Sequence, residues 1–103
     1  MNDARMLSAI MFTDIVGYTT MICSDESMAI ATVKRHKKII QKEIVAFEGT
    51  LIQFYGDGSL SIFNSATSAL KCALKIQHIC NNEHQVPIRI GIHIGEILIK
   101  EGS

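Results

Sequence analysis

Isoleucine recurs at every second position near the end of the sequence, and this run constrains the fold more tightly than any other feature. The isoleucines are Ile88, Ile90, Ile92 and Ile94, and they alternate with Arg89, Gly91, His93 and Gly95. Strand side chains alternate between two faces, whereas an α-helix repeats every 3.6 residues. The segment from Pro87 to Ile94 is therefore predicted to be a strand with one apolar face, and that face needs a second layer to cover it.

Two amphipathic segments can supply the covering layer. The first begins at Ser24 or Asp25, either of which is a candidate N-cap, and runs to Phe47. Its apolar stripe at helical spacing consists of Ala29, Val33, His36, Ile40, Ile44 and Phe47. We expect this helix to end with Gly49 as the C′ residue. The second helix is predicted from Ser65 to Cys80.

Three further β-type runs complete the predicted set of elements. They are Leu7–Phe12, Thr50–Tyr55 and Ser59–Phe63, and Gly56-Asp57-Gly58 between the last two indicates a hairpin. The order is β, α, β, β, α, β. This order predicts an α+β, ferredoxin-like fold, in which a four-stranded antiparallel sheet carries two main helices on one face.

The length and the charge balance restrict the class of protein. A chain of 103 residues, 48% of them apolar, suffices for one domain. Ten Lys and Arg balance ten Asp and Glu, and this argues against a nucleic-acid partner. Three cysteines, Cys23, Cys72 and Cys80, fit neither a disulfide framework nor a zinc site, so we expect reduced structural thiols. Apolar runs are too short to span a bilayer, which predicts a cytoplasmic chain.

The predicted topology brings two aspartates together, and these form a candidate site. With right-handed crossovers and strand order 4-1-3-2, the end of the first strand lies beside the hairpin, so Asp14 and Asp57 converge. Paired carboxylates suit Mg²⁺, which takes hard oxygen ligands and keeps positions for water and phosphates. An alternative interpretation stays open at this point: Asp57 serves only the turn, and Asp14 caps a helix that starts at Val16.

Three motifs around these aspartates resemble those of one enzyme family. The motifs are FTDIVGYT at 12–19, YGDGSLSIF at 55–63 and IRIGIHIGE at 88–96. In order and spacing they are similar to the class III adenylyl/guanylyl cyclase catalytic domain, over nearly the whole chain. The resemblance implies conversion of a purine nucleoside triphosphate to a 3′,5′-cyclic monophosphate and pyrophosphate in intracellular signalling, with ATP favoured over GTP.

The same resemblance assigns roles to individual residues. It makes Asp14 and Asp57 the catalytic, metal-binding aspartates and the Ile15 carbonyl a further ligand of two Mg²⁺ or Mn²⁺ ions. Arg89 resembles the arginine that contacts phosphate. The backbone amides expected to cradle the triphosphate are those of Val16, Gly17, Tyr18 and Thr19. At the base-selecting position, where adenylyl cyclases usually have lysine, this chain has Gln53, whose amide both donates and accepts hydrogen bonds.

The resemblance also indicates what surrounds the chain. Family domains continue past the position of Ser103, and the later part supplies the base-selecting acid, the ribose-orienting asparagine and the transition-state arginine. We therefore expect residues 1–103 to be the metal-binding part of a domain that works as a head-to-tail homodimer with composite sites, fused to a regulatory domain and nearly inactive alone. Ile10 and Phe12 are expected to face the open side of the sheet, as apolar surface that needs a cover.

Other functions compete with this interpretation. Polymerase palm domains and diguanylate cyclases also pair a strand-end aspartate with a hairpin aspartate, but this hairpin reads GDGSL rather than GG[DE]EF. The neutral charge also disfavours a palm that binds a template. From a different class, a catalytically degenerate cyclase-homology module would act in dimerisation or nucleotide sensing, and Gln53 agrees with that alternative.

Overall fold

The computed structural model describes residues 3–83 and 85–100 as one sheet covered by helices. The elements are β1 (Asp3–Ile15), α1 (Tyr18–Ser24), α2 (Glu26–Ala46), β2 (Thr50–Tyr55), β3 (Gly58–Phe63), α3 (Ala66–Asn82) and β4 (Ile88–Lys100). The strands form one antiparallel sheet in the order β2-β3-β1-β4. The predicted α+β, ferredoxin-like fold and strand order are confirmed. The short helix α1 is an addition to the predicted set of elements.

The first and last strands are longer than predicted. Each has 13 residues, and they pair along their whole length, from Asp3 opposite Lys100 to Ile15 opposite Ile88. The partner β3 pairs only with residues 9–14 of β1. Residues 3–8 of β1 therefore continue as a two-stranded ribbon with β4. The predicted boundaries at Leu7, Phe12 and Ile94 made these strands too short. They followed the apolar runs, whereas backbone pairing continues beyond them.

The core lies between the sheet and the helices α2 and α3. The predicted stripe of α2 is confirmed, because Ala29, His36, Ile40 and Ile44 are at most 1% exposed. From the other elements the largest buried side chains are Met11, Phe63 and Ile76. Cys72 and Cys80 are also buried, and burial raises the pKa of their thiols to about 12 and about 11. Both therefore stay protonated at neutral pH, as expected of structural thiols.

The two ends of α2 show one correct and one wrong prediction. Asp25 is the N-cap, and its side chain accepts a hydrogen bond from the Met28 amide at 3.0 Å. At the other end Glu48, not Gly49, takes the left-handed conformation, with φ of 62°. Gly49 is needed for space, because a Cβ on it would lie 2.5 Å from the Phe63 ring. A flat aromatic ring packed on the backbone is not visible in a local turn pattern.

The sheet has one covered face and one open face. Ile88 is buried under the helices and Ile90 is half-buried, whereas Ile94 on the same face is 47% exposed. On the opposite face Ile10 lies opposite His93 and Phe12 opposite Gly91, so the predicted outward direction of Ile10 and Phe12 is confirmed. Phe12 is 44% exposed there. Within residues 3–83 and 85–100, no helix combines the length and apolar character needed to cross a membrane.

Candidate functional site

The end of β1 brings the two aspartates together. Asp14 lies opposite Gly58 of β3, and Asp57 directly precedes that glycine in the turn between β2 and β3. The Ile15 amide donates a hydrogen bond to the Asp57 carbonyl at 3.0 Å, which fixes the turn against the strand. The alternative role of Asp14 as a helix cap is wrong, because Asp14 is inside β1 and the N-cap of α1 is Gly17, which makes no side-chain cap.

Asp14 also faces Arg89, a positively charged residue that is predicted to contact phosphate. Arg89 lies opposite it on β4, and its Nη2 donates to Asp14 Oδ2 at 3.1 Å. Asp14 Oδ1 is buried and has no hydrogen-bond partner. Because an unpaired buried carboxylate oxygen is costly, this atom is suited to accept a ligand cation. Strand alternation puts both side chains on the open face, so the pairing could have been inferred from the register of β1 and β4.

The oxygen donors at this site fit a hard divalent cation. Asp14 and Asp57 offer carboxylate oxygens beside the backbone of Ile15, and Mg²⁺ usually binds one or two carboxylates plus water and phosphate oxygens. No group of three or more His, Cys, Asp or Glu side chains suited to a metal occurs among the described residues. Asp14, Asp57 and Ile15 therefore supply a partial ligand set that leaves positions for water and phosphate oxygens.

The loop after β1 contradicts the prediction for one of the four phosphate-binding amides, that of Val16. The Val16 amide donates to the Pro87 carbonyl at 2.8 Å, so it is not free for a phosphate. Gly17 has φ of 72°, a left-handed conformation that glycine adopts without strain. Helix α1 then begins at Tyr18, and the N–H groups of a first helical turn have no partner inside the helix. The available donors are thus those of Gly17, Tyr18 and Thr19.

The open face next to the aspartates forms a shallow depression. Its volume is about 340 Å³, and its lining includes Phe12, Asp14, Tyr55 and Arg89. Gln53 is exposed on the same face, opposite Leu60 and so one row further along the sheet. Gln53 is two strands and two residues away from Asp14, which corresponds to roughly 10 Å across the sheet and roughly 7 Å along the strands. The polar groups of the open face therefore spread over about the span of a nucleotide.

A buried polar chain lies directly behind the aspartates and was not predicted from the sequence motifs. Thr13 Oγ1 lies 2.9 Å from His36 Nε2 and 2.6 Å from Ser59 Oγ, and all three residues are at most 1% exposed. Burial lowers the pKa of His36, although Asp57 and Asp14 act in the opposite direction. The signal was present, because a histidine on the apolar stripe of α2 coincides with hydroxyl residues at inward positions of two strands.

Known proteins are similar to this chain over most of its length. Residues 6–101 match the family described as adenylate and guanylate cyclase catalytic domain. The Rhizobium meliloti (strain 1021) protein named "Putative adenylate cyclase 3" is 28% identical over 107 residues, which cover 96% of this chain and 18% of that protein.

Two solved structures are similar to the chain. The adenylate/guanylate cyclase/hydrolase from Silicibacter pomeroyi is 33% identical, with a TM-score of 0.79 over 99% of this chain and 64% of that chain. The guanylyl cyclase Cya2 has a TM-score of 0.82 at 21% identity, over 97% and 59% of the two chains, and shows the common fold. The chain therefore spans less than two thirds of each of these relatives.

Proposed function

The chain belongs to the adenylate and guanylate cyclase catalytic-domain family, and from this premise we propose that it forms the metal-binding part of a purine nucleotidyl cyclase. In the reaction the ribose 3′ oxygen attacks the α-phosphorus, the bond from that phosphorus to the bridging oxygen breaks, and pyrophosphate leaves. The 3′ hydroxyl loses its proton to solvent or to the leaving group. The observation that carries the proposal is the meeting of Asp14 and Asp57, where one buried oxygen of Asp14 has no partner.

Two Mg²⁺ or Mn²⁺ ions would be held by Asp14, Asp57 and the Ile15 carbonyl. When bound, such ions lower the pKa of the attacking hydroxyl and neutralise charge on the phosphates. The protein's own part is to fix the ligands, and the hydrogen bond from the Ile15 amide to the Asp57 carbonyl supports this. Because attack is intramolecular, positioning and charge stabilisation carry the catalysis.

The triphosphate and the base would lie along the open face. Arg89 and the amides of Gly17, Tyr18 and Thr19 would bind phosphate oxygens, at the end of the sheet where the aspartates meet. Gln53 would meet the edge of the purine one row away. An amide can pair with adenine or guanine, and we propose ATP as the preferred substrate.

The assembly and setting are part of the same proposal. We propose a head-to-tail homodimer with composite sites, because the open face exposes apolar side chains such as Phe12. A fused regulatory domain agrees with the Rhizobium meliloti relative, of which this chain covers 18%. We further propose a cytoplasmic location and little turnover by the 103-residue chain alone.

The decisive experiment identifies the product. The protein at its natural length is incubated with Mn²⁺ and either ATP or GTP, and the products are identified by mass spectrometry. We expect 3′,5′-cyclic nucleotide and pyrophosphate in equal amounts, with more product from ATP. An Asp14→Asn variant made in the same host controls for a contaminating cyclase. A folded dimer that makes no cyclic product from either nucleotide would instead be a degenerate module.

Removing the Arg89 guanidinium should move two affinities in opposite directions. Without nucleotide, Arg89→Gln frees Asp14 Oδ2, so Mn²⁺ should bind about threefold more tightly, in line with the modest strength of an exposed ion pair. Triphosphate binding should weaken by about tenfold, because a charge-assisted hydrogen bond is lost. Mn²⁺ titration by electron paramagnetic resonance and nucleotide titration by calorimetry measure the two effects.

A matched variant separates this effect from a general change in charge. Lys34→Gln removes one positive charge from an exposed position on α2, and both affinities should stay within about twofold of the parent. If Arg89→Gln weakened Mn²⁺ binding, or left nucleotide binding unchanged, the assigned role of Arg89 would be wrong.

A further inference from the structure

We propose that His36 is a positioning residue for the metal-binding aspartates and that it acts through the hydroxyls of Thr13 and Ser59. The inference rests on the proposed function, because it concerns the same metal site. His36 is buried on α2, whose apolar side packs into the core on the covered face of the sheet. Its influence must therefore pass through the sheet from the helix side.

The polar chain joins three elements at one point. Thr13 of β1 lies opposite Ser59 of β3, and their oxygens are 2.6 Å apart, a short distance for two hydroxyls. His36 Nε2 lies 2.9 Å from the same Thr13 oxygen. The helix, the strand with the first aspartate and the strand after the second aspartate are thus connected through one hydroxyl oxygen.

The location of the chain ties it to the carboxylates on the other face. Thr13 directly precedes Asp14, and Ser59 follows Asp57 by two residues. Neighbouring strand residues point to opposite faces, so Thr13 points into the core while Asp14 points to the open face. A shift of β1 against β3 that stretches the two hydroxyls apart also moves the aspartates relative to each other. Holding the hydroxyls together therefore holds the metal ligands.

The imidazole of His36 can form a hydrogen bond with the Thr13 hydroxyl, which an apolar side chain at this position cannot. Ser59 can donate to Thr13 while Thr13 donates to the imidazole, or the imidazole can donate to Thr13 while Thr13 donates to Ser59. Both arrangements are available to a neutral ring. Burial lowers the pKa of His36, Asp57 and Asp14 raise it, and Lys37 lowers it. An aliphatic side chain would leave the buried Thr13 hydroxyl with one partner fewer.

The test compares two replacements of His36 in the full 103-residue chain. His36→Leu fills the space without a hydrogen bond, whereas His36→Gln can put an amide nitrogen near the position of Nε2. We expect Mn²⁺ affinity, measured by electron paramagnetic resonance, to fall about tenfold in the leucine variant, as for other residues that orient metal ligands. The glutamine variant should stay within about threefold of the parent. Thr13→Val should reproduce the loss from the strand side.

Control variants distinguish positioning from stability. Ile40→Val weakens the core one turn further along α2 without touching the polar chain, and its Mn²⁺ affinity should equal that of the parent. Thermal melting confirms that each variant is folded at the temperature of the titration, and Thr13→Val decides the question if His36→Leu is unfolded. Folded His36→Leu or Thr13→Val with parental affinity would overturn the inference. If the parent chain binds Mn²⁺ and Asp14→Asn does not weaken that binding, the metal assignment itself is wrong. The positioning role of His36 is then wrong as well.

Discussion

Replacing Asp57 with asparagine should reduce the proposed cyclase turnover by about 10³-fold, equivalent to about 4 kcal/mol of transition-state stabilisation. Asparagine keeps the size of the side chain and suits the turn between β2 and β3, so the fold should persist. What is lost is one negative charge and one carboxylate in a turn whose next residue, Gly58, pairs with Asp14. Initial rates at saturating Mn²⁺ and ATP, taken on the natural-length protein, measure the effect.

The chain contains a matched control for this substitution. Asp25 caps α2 at an exposed position, and asparagine is an equally good N-cap, so Asp25→Asn changes the charge by the same amount and preserves the hydrogen bond to Met28. Its turnover should stay within about twofold of the parent. If Asp57→Asn retained more than a tenth of the parental rate, Asp57 would not be a metal ligand required for the reaction.

Gly58→Ala should destabilise the fold by about 3 kcal/mol, at the upper end of what overpacking costs. A Cβ at this position would lie 2.5 Å from the Thr13 carbonyl oxygen, a backbone atom of the adjacent strand. Relief requires β1 and β3 to separate at the point where Asp14 and Asp57 meet. For a domain of this size the loss corresponds to a fall in melting temperature of about 10–20 °C, measured by calorimetry or circular dichroism.

Gly91→Ala provides the comparison for the close approach at Gly58. Gly91 lies on β4, and a Cβ on it would meet nothing within 4 Å. Its melting temperature should therefore stay within a few degrees of the parent. Equal melting temperatures for the two alanine variants would contradict the close contact of β1 and β3. A loss of Mn²⁺ affinity in folded Gly58→Ala is expected in addition.

Periodicity in the sequence was enough to predict the layers of the fold but not the lengths of its strands. The stripe of α2 and the buried Ile88 of β4 depend on burial of one face, which leaves a pattern in residue types, although Ile94 of the same run is 47% exposed. The ribbon of β1 with β4 depends on backbone pairing, which does not require apolar residues. The left-handed Glu48 is a similar case, since a glycine stands next to it and fits the same turn pattern.

The features of the candidate site were likewise predictable from the sequence only in part. Strand order together with right-handed crossovers predicts that Asp14 and Asp57 converge, and in the structure Asp14 pairs with Gly58, the residue that follows Asp57. The occupied Val16 amide could not be predicted, because it depends on where the loop before β4 places the Pro87 carbonyl. The bond between His36 and Thr13 joins residues 23 positions apart in different layers. The sequence indicates that both residues face the core, but which of them pair depends on helix packing rather than on any local spacing.

The ion pair between Arg89 and Asp14 implies a thermodynamic coupling between the two ligands of the proposed enzyme. A guanidinium drawn to a phosphate oxygen releases Asp14 for a cation, and a cation on Asp14 releases the guanidinium for phosphate. Linkage requires that each ligand raise the affinity for the other by the same factor. Free divalent metal or free nucleotide alone would then occupy the site weakly, and the two together would bind cooperatively.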